Sequence, residues 1–245
     1  MMSHDMLIIV LCALLMIVLI VYSFYKGPFT VNFCELYTHK SWHPSADLIR
    51  KLNRYDLCGD KQDDIFDKYI YWNGEIIAGI KGQTLVFKGT DSISDIDKDT
   101  KLTFTHFRGG AVYTGILDIY KAIKPQLDVI NCKRVVGWSL GAALAVMYAY
   151  DHNRNINQVF LFGQPPIFTK KFMNEYNESV GYKTRSYLHV YDLVVQPLLP
   201  LHNILTPNDL NAYRVGETTY IDNGDIAKLF TEGLGYYHMS YLDEE

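Results

Sequence analysis

The chain has 245 residues, of which 49% are hydrophobic and 20% are charged. This length and this balance are typical of one globular domain with a sizeable core. The formal net charge is -4 and the sequence holds no polybasic run, so nucleic acid is not an expected partner. Aromatic residues make up 14% of the chain, which argues against extensive disorder.

The N-terminal segment differs from the rest of the chain. Residues 6–22, MLIIVLCALLMIVLIVY, carry no charge, and the next three residues extend the segment to 20 residues, about 30 Å of helix. A cleaved signal peptide and a buried core helix are the alternatives. The segment lacks the basic start and the Ala-x-Ala site of the first, and the polar positions at helical spacing of the second. The sequence therefore predicts an uncleaved, single-pass transmembrane anchor over residues 6–25.

Two signals bear on the side of the membrane that the main domain occupies. Lys26 and further basic residues up to Arg54 follow the anchor, whereas Asp5 precedes it. By the positive-inside rule this asymmetry predicts a cytoplasmic domain. The glycosylation sequon at residues 177–179 indicates the opposite side.

The four cysteines show no CxxC spacing, so neither a zinc framework nor a disulfide-dense scaffold is expected. Cys34 and Cys58 either pair in an oxidising compartment or remain free thiols.

Residues 26–66 are predicted to form a helical extension of the main domain. Within them, residues 45–58 read as a helix with Ser45 as a candidate N-cap. Asn73-Gly74 is a strong hairpin signal and Lys81-Gly82 marks a second turn. Strands are expected at residues 68–72, 75–80 and 83–88.

The main domain is placed at residues 67–245, where helices and strands alternate. Helices are expected over 111–127, with an interruption near Pro125, and over 140–153, and short helical pieces near the C-terminus. Strands are expected in KRVVGW, NQVFLFG and RSYLHVYD. The alternation predicts an α/β fold with a mostly parallel central sheet flanked by helices.

The motif Gly137-Trp138-Ser139-Leu140-Gly141 lies between a predicted strand and a predicted helix. In this context a G-x-S-x-G turn presents the serine hydroxyl at the end of the strand. The N-terminus of the helix offers backbone N–H groups and a partial positive charge to a developing oxyanion. A glycine-rich turn with an idle serine is the alternative, and the strand–turn–helix context favours a nucleophile.

A nucleophilic serine needs a base to take its proton and a carboxylate to orient that base. In α/β-hydrolases these follow the serine in the order Asp or Glu, then His. His238 comes last, after a glycine-rich loop, and His202 is its competitor. Asp192 ends the stretch SYLHVYD, where a strand edge meets the expected site, and Asp209 is its competitor.

Six stretches resemble class 3 lipases, the fungal-lipase-like branch of the α/β-hydrolases, in the order of that family. They are LVFKGTDS, AVYTGILDIY, GWSLGAALA, FGQPPI, HVYDLVVQPLLP and HMSYL, and together they span roughly residues 68–245. Tyr113 and Trp138 stand where the family has His, and Pro166 stands where it has Arg. These departures are expected to surround the site and to affect substrate fit more than chemistry.

The resemblance implies an α/β-hydrolase fold and assigns the roles of the site residues. Ser139 would be the nucleophile, Asp192 the orienting acid and His238 the general base. Thr90 and Leu140 would form the oxyanion hole. No metal or cofactor is implied. In the family the segment after Thr90 forms a lid, and here that segment, DSISDIDKDTKL, is acidic, so a small polar lid is expected.

These features together predict a membrane-anchored serine esterase or lipase in lipid degradation. It would cleave acylglycerol or phospholipid esters through an acyl-enzyme, and the N-terminal helix would keep it beside its lipid substrate. Two alternatives stay open: a catalytically silent lipase-like scaffold protein, and an acyltransferase that uses the same triad.

Overall fold

The computed structural model describes residues 42–89, 103–192, 195, 212–221, 238 and 240–242. The predicted anchor over residues 6–25, Thr90, the expected lid, and the competitors His202 and Asp209 lie outside these residues. Within the described residues, no helix is long and apolar enough to cross a membrane.

The first helix, α1 (Pro44–Cys58), lies inside the predicted helical extension. Its N-cap is His43, whose Nδ1 accepts a hydrogen bond from the Ser45 N–H at 3.1 Å, so the cap lies two residues before the predicted one. Cys58, the last residue of α1, is disulfide-bonded. Cys132 is a free, buried thiol.

The predicted strands and turns that follow α1 are present. The elements are β1 (Lys68–Trp72), β2 (Glu75–Lys81), β3 (Thr84–Phe87), β4 (Phe104–Phe107), β5 (Gly110–Tyr113), α2 (Thr114–Leu127), β6 (Arg134–Trp138), α3 (Leu140–Asp151), β7 (Gln158–Phe162), β8 (Phe168–Thr169), α4 (Lys170–Ser179), β9 (Thr184–His189), β10 (Ala212–Tyr213) and β11 (Glu217–Ile221). Short 3₁₀ turns occur at Lys61–Asp63, Gly181–Lys183 and Ser240–Leu242.

Among the described residues, seven strands form the main sheet in the order β1-β2-β3-β6-β7-β9-β11. Neighbouring strands from β3 to β11 pair in parallel, whereas β1 and β2 add antiparallel pairs at one edge. The sheet is therefore mixed, and the predicted parallel pairing holds for its larger part. Because β6, β7 and β9 are parallel, their carboxyl ends meet at one edge of the sheet, where ligand sites of α/β folds lie.

Two local predictions were wrong. Residues 110–113 form β5 instead of the start of a helix, and β5 joins a four-stranded antiparallel sheet of order β10-β8-β5-β4. Burial alternates along β5, as a half-buried strand requires. Helix α2 also runs through Pro125 to Leu127 without interruption. Because Pro125 lies in the last turn, its missing N–H removes only one bond near the helix end.

The core lies on both faces of the main sheet. Helices α2 and α3 cover one face, and α1 with Tyr241 covers the other. Residues 140–149 of α3 are all buried, and a helix that is apolar on every side belongs in a core. The N-terminus of α3, and with it Ser139, is thus held by a fully buried helix of the core.

Candidate active site

Ser139 lies at a sharp turn between β6 and α3, as the motif predicted. Its backbone has φ 55° and ψ −125°, a left-handed φ that a non-glycine residue rarely adopts. The turn is held on both sides: the Ser139 N–H donates to the Phe162 carbonyl at 3.0 Å, and the Ser139 carbonyl accepts from the Ala142 N–H at 2.9 Å. Strained backbone of this kind is concentrated at functional sites.

Gly141 allows the turn to sit against the sheet. A Cβ at this position would collide with the carbonyl oxygens of Phe87 and Lys88, at the end of β3. No flexible side chain is involved, so only glycine fits there. The second glycine of the motif therefore serves close packing of α3 on β3, which also places the end of β3 beside Ser139.

Asp192 and His238 form a buried pair at the same edge of the sheet. The His238 Nδ1 lies 2.9 Å from the Asp192 Oδ2, and Asp192 is 0% exposed. Because an ionised carboxylate can only accept, Nδ1 carries the proton and Nε2 keeps its lone pair. That Nε2 is buried and has no hydrogen-bond partner among the residues that the structure describes. A histidine in this state is equipped to take a proton from a group placed before it.

The Asp192 carboxylate is stabilised by further donors. The Tyr241 hydroxyl donates to Oδ2 at 2.9 Å and the Val195 N–H donates to Oδ1 at 3.3 Å. Burial acts to raise the pKa of Asp192, but the electrostatic interaction with His238 and the hydrogen bonds from His238, Tyr241 and Val195 outweigh it and hold that pKa below its ordinary value. Asp192 therefore stays ionised, although it is buried.

Tyr241 is held in turn by the backbone. Its hydroxyl accepts a hydrogen bond from the His189 N–H at 2.6 Å. Burial and the nearby Asp192 charge raise the pKa of Tyr241 well above its ordinary value, so the hydroxyl keeps its proton and remains a donor. Tyr241 lies in the stretch HMSYL, three residues after His238, but no role was predicted for it from the sequence.

Arg214 is a second residue that the sequence reasoning missed. Its Nε donates to the Gln164 carbonyl and its Nη2 to the Val195 carbonyl, both at 2.7 Å. It thus ties the loop after β7 to the segment that follows Asp192. No spacing in the sequence links Arg214 to either loop, because β10 and β11 are brought there by long-range pairing.

Trp138 lies closer to the site than expected. It is 2% exposed, and its Nε1 donates to the His238 carbonyl at 2.9 Å. Its ring centroid lies 5.2 Å from that of His238. Tyr113 and Pro166, the other departures from the family pattern, belong to segments joined through the second sheet, where the Tyr113 N–H donates to the Ile167 carbonyl at 3.2 Å.

The structure thus brings Ser139, Leu140, Asp192 and His238 to one edge of the sheet. The end of β7 links them, because Phe162 accepts from the Ser139 N–H and a Cβ on Gly163 would lie 3.3 Å from the His238 Nδ1. Thr90 follows Gly89, outside the described residues. Among the residues that the structure describes, no group of three or more His, Cys, Asp or Glu side chains could hold a metal ion. A strained serine, a polarised histidine and a helix N-terminus together can activate a hydroxyl and hold an oxyanion.

Comparison with known proteins agrees with this geometry. Residues 84–202 match the family of class 3 lipases. The secreted mono- and diacylglycerol lipase LIP4 of Malassezia restricta is 27% identical over 175 residues, which cover 57% of this chain. The chain spans 58% of the length of that curated relative.

Solved structures share the fold at low sequence identity. The lipase of Rhizopus microsporus var. chinensis is 18% identical with a TM-score of 0.51, covering 76% of this chain and 78% of that protein. The native lipase–propeptide complex of Rhizomucor miehei is 20% identical with a TM-score of 0.51, covering 79% and 68%. Residues 84–202 are thus similar to class 3 lipases, and the described residues share with the solved lipases an α/β-hydrolase fold with a mixed sheet.

Proposed function

We propose that this protein is a serine hydrolase of carboxylic esters, with Ser139 as nucleophile, His238 as general base and Asp192 as the acid that orients it. One observation carries the proposal. The buried bond between the His238 Nδ1 and Asp192 leaves a buried Nε2, without a hydrogen-bond partner in the described part of the chain, at the sheet edge where Ser139 occupies its strained turn. An idle serine gives no reason for such a pair or for a non-glycine residue at positive φ.

In this mechanism the His238 Nε2 removes the proton from the Ser139 Oγ as that oxygen attacks the ester carbonyl carbon. The carbonyl π electrons move to oxygen and form the tetrahedral oxyanion. Collapse breaks the bond to the alcohol, which leaves with the proton from His238 and gives an acyl-enzyme. Water, deprotonated by the same Nε2, then releases the carboxylic acid and restores Ser139.

The oxyanion is assigned to the backbone N–H of Leu140, with Thr90 as the second donor by family resemblance. Leu140 is the first residue of α3, so its N–H has no acceptor within the helix. It also lies at the positive end of the helix dipole. Loss of one such donor typically lowers kcat by about 10²–10³-fold.

The substrate class proposed for this chain is acylglycerols. Support comes from the family match and from the relative that is named a mono- and diacylglycerol lipase. Phospholipids are the competing esters. An uncharged apolar segment over residues 6–25 supports attachment to a membrane, which would place the enzyme beside either substrate.

The side of the membrane is proposed from two opposed signals. Flanking charges favour a cytoplasmic domain, whereas the disulfide at Cys58 favours an oxidising compartment, because cytosolic thiols are kept reduced. We give the disulfide more weight, since few charges lie close to the anchor, and propose a lumenal or extracellular domain. Protease digestion of sealed microsomes tests this proposal. A C-terminal tag should be protected, and digestion of the tag would show that the domain lies in the cytosol.

A fluorophosphonate probe tests the proposed function directly. The full-length protein in detergent should be labelled, and Ser139→Ala and His238→Ala should not. Because the probe reacts only with an activated serine, a folded wild-type protein that is not labelled would favour the silent scaffold.

A substrate panel then separates the remaining options. Hydrolysis rates on mono-, di- and triacylglycerol and on phosphatidylcholine identify the substrate class. Products formed with and without an added alcohol acceptor distinguish hydrolysis from acyl transfer. Faster turnover of phosphatidylcholine than of any acylglycerol would contradict the proposed substrate.

A further inference from the structure

Trp138 has contacts that its place in the core does not explain. It immediately precedes Ser139, and on its own side of the sheet it belongs to an apolar cluster that includes Phe162 and Tyr241. A tryptophan in such a cluster needs only packing and a partner for its N–H. Here, however, both the N–H and the ring are directed to His238, the proposed general base.

The first contact is a buried hydrogen bond. The Trp138 Nε1–H donates to the His238 backbone carbonyl at 2.9 Å. Leaving a buried acceptor without its donor is costly, so this bond holds the His238 backbone at a fixed distance from β6. Because β6 also carries Ser139, the bond links the backbone of the base to that of the nucleophile across about a hundred residues of sequence.

The second contact is between the rings. The indole and imidazole centroids lie 5.2 Å apart with an interplanar angle of 35°. Asp192 holds the imidazole at Nδ1, 2.9 Å from Oδ2. With the backbone held at the carbonyl and one ring face against the indole, the imidazole has little freedom left about its side-chain torsions. The direction of Nε2 is thereby fixed.

The third contact shows that the indole position is itself determined. A Cβ at Gly89 would lie 2.5 Å from the Trp138 Cε3 and 3.2 Å from the Ser139 Cβ. Only a glycine leaves room for the indole, so the segment after β3 is shaped around Trp138. The indole is clamped between this backbone and His238.

From these three contacts we propose that Trp138 is a positioning residue for the general base and sets the direction of the His238 Nε2. The inference rests on the proposed function, because it assigns Trp138 a part in that reaction. Trp138 acts through His238. Its N–H and its ring both contact the same residue, the proposed base, which a packing role alone does not require.

The test separates the N–H from the ring. Trp138→Phe keeps an aromatic ring and removes the N–H donor, whereas Trp138→His keeps an N–H donor on a smaller ring. Trp72→Phe is the matched control, since Trp72 is half-buried and packs against the opposite cluster. Steady-state kinetics on one soluble ester and the thermal midpoint are measured for each full-length protein.

For Trp138→Phe we expect kcat to fall roughly tenfold, the effect of about one hydrogen bond, with KM within about twofold. Trp72→Phe should leave kcat unchanged even where it lowers the thermal midpoint as much. Equal kcat values in Trp138→Phe and wild type would overturn the proposal. So would a kcat loss in both variants that follows the thermal midpoint alone.

Trp138→His keeps the proposal testable if Trp138→Phe does not fold. The smaller ring packs less well but keeps an N–H donor, so the thermal midpoint should fall while kcat stays within about threefold of wild type. A kcat loss in Trp138→His that follows the thermal midpoint would contradict the positioning role.

These results distinguish the two proposals. If wild type is not labelled by the fluorophosphonate and has no esterase activity, the proposed function fails, whatever the Trp138 variants do. If wild type is active and Ser139→Ala is not, but Trp138→Phe matches wild type, only the positioning role fails.

Discussion

The Tyr241 hydroxyl and the proposed base, His238, bind the same oxygen of the Asp192 carboxylate. Tyr241 donates to Oδ2 at 2.9 Å, and the His238 Nδ1 lies at the same distance from that atom. The carboxylate is therefore oriented by a residue from the same C-terminal segment as the base. Its orientation depends on a bond that a conservative substitution can remove.

Tyr241→Phe should lower kcat roughly tenfold and leave KM nearly unchanged, because a buried charge-assisted hydrogen bond is lost while the ring stays packed. The pKa of Asp192 should rise in this variant. The kcat and KM on a soluble ester give the readout, with Tyr182→Phe as control, since Tyr182 is 71% exposed. An unchanged kcat would show that Asp192 is held well enough without Tyr241.

Substitution of the candidate acids should separate Asp192 from Asp209. Asp192→Asn should lower kcat on the order of 10⁴-fold, by analogy with serine proteases, because the amide reverses the tautomer of His238. Asp209→Asn should have a mild effect. The corresponding pair of bases, His238→Ala and His202→Ala, should behave in the same order. A larger loss in either competitor would move the assignment to that residue.

The free energy of unfolding should fall in acid, and protonation of Asp192 should contribute to that fall. The folded-state pKa of Asp192 is held below its unfolded value, so its contribution is complete above the ordinary value of 3.8 and is lost as the pH falls through the folded pKa. The pKa of Asp151 is lowered as well: burial acts to raise it, but Tyr120, Arg108 and Lys124 outweigh that effect.

The measurement is the free energy of unfolding by urea between about pH 2 and pH 6. Asp192→Asn should flatten the curve below about pH 4, and Asp151→Asn should flatten it independently, since different described residues lower the two pKa values. Identical pH dependence in Asp192→Asn and wild type would mean that the carboxylate is not preferentially ionised in the folded state.

Gly141→Ala should destabilise the domain by about 1–3 kcal/mol, since its Cβ meets the backbone carbonyls of Lys88 and Phe87 and nothing flexible can yield. The kcat should fall even at temperatures where the variant stays folded, because relief of the clash displaces the start of α3, including the Leu140 N–H. Gly181→Ala is the control, since its Cβ would approach only the Asn177 side chain, at 3.1 Å. Equal stability of the two variants would argue against the tight turn.

The sequence predicted the parts of the fold that local patterns determine. Asn73-Gly74 specifies a hairpin by backbone preference alone, and the alanine-rich stretch after Ser139 can only be a buried helix. Chain order in a known architecture left Asp192 or Asp209 as the acid and His238 or His202 as the base, and the structure shows Asp192 paired with His238.

Features that depend on long-range pairing were not predictable in the same way. The four residues of β5 are too few to show a period of two against the helix that follows them, and their partners β8 and β10 lie far along the chain. The carbonyl-binding role of Arg214 and the contact of Trp138 with His238 likewise exist only once the loops are assembled. In both cases the partner is a backbone atom, which leaves no residue pattern to read.

The central claim is that Ser139 is a nucleophile, and the kcat of Ser139→Ala on a diacylglycerol tests it most directly. The account predicts a fall of roughly 10⁴ to 10⁶-fold, with the thermal midpoint preserved, because the buried Asp192–His238 pair does not depend on the hydroxyl. A Ser139→Ala protein that retains kcat within about tenfold of wild type would contradict it.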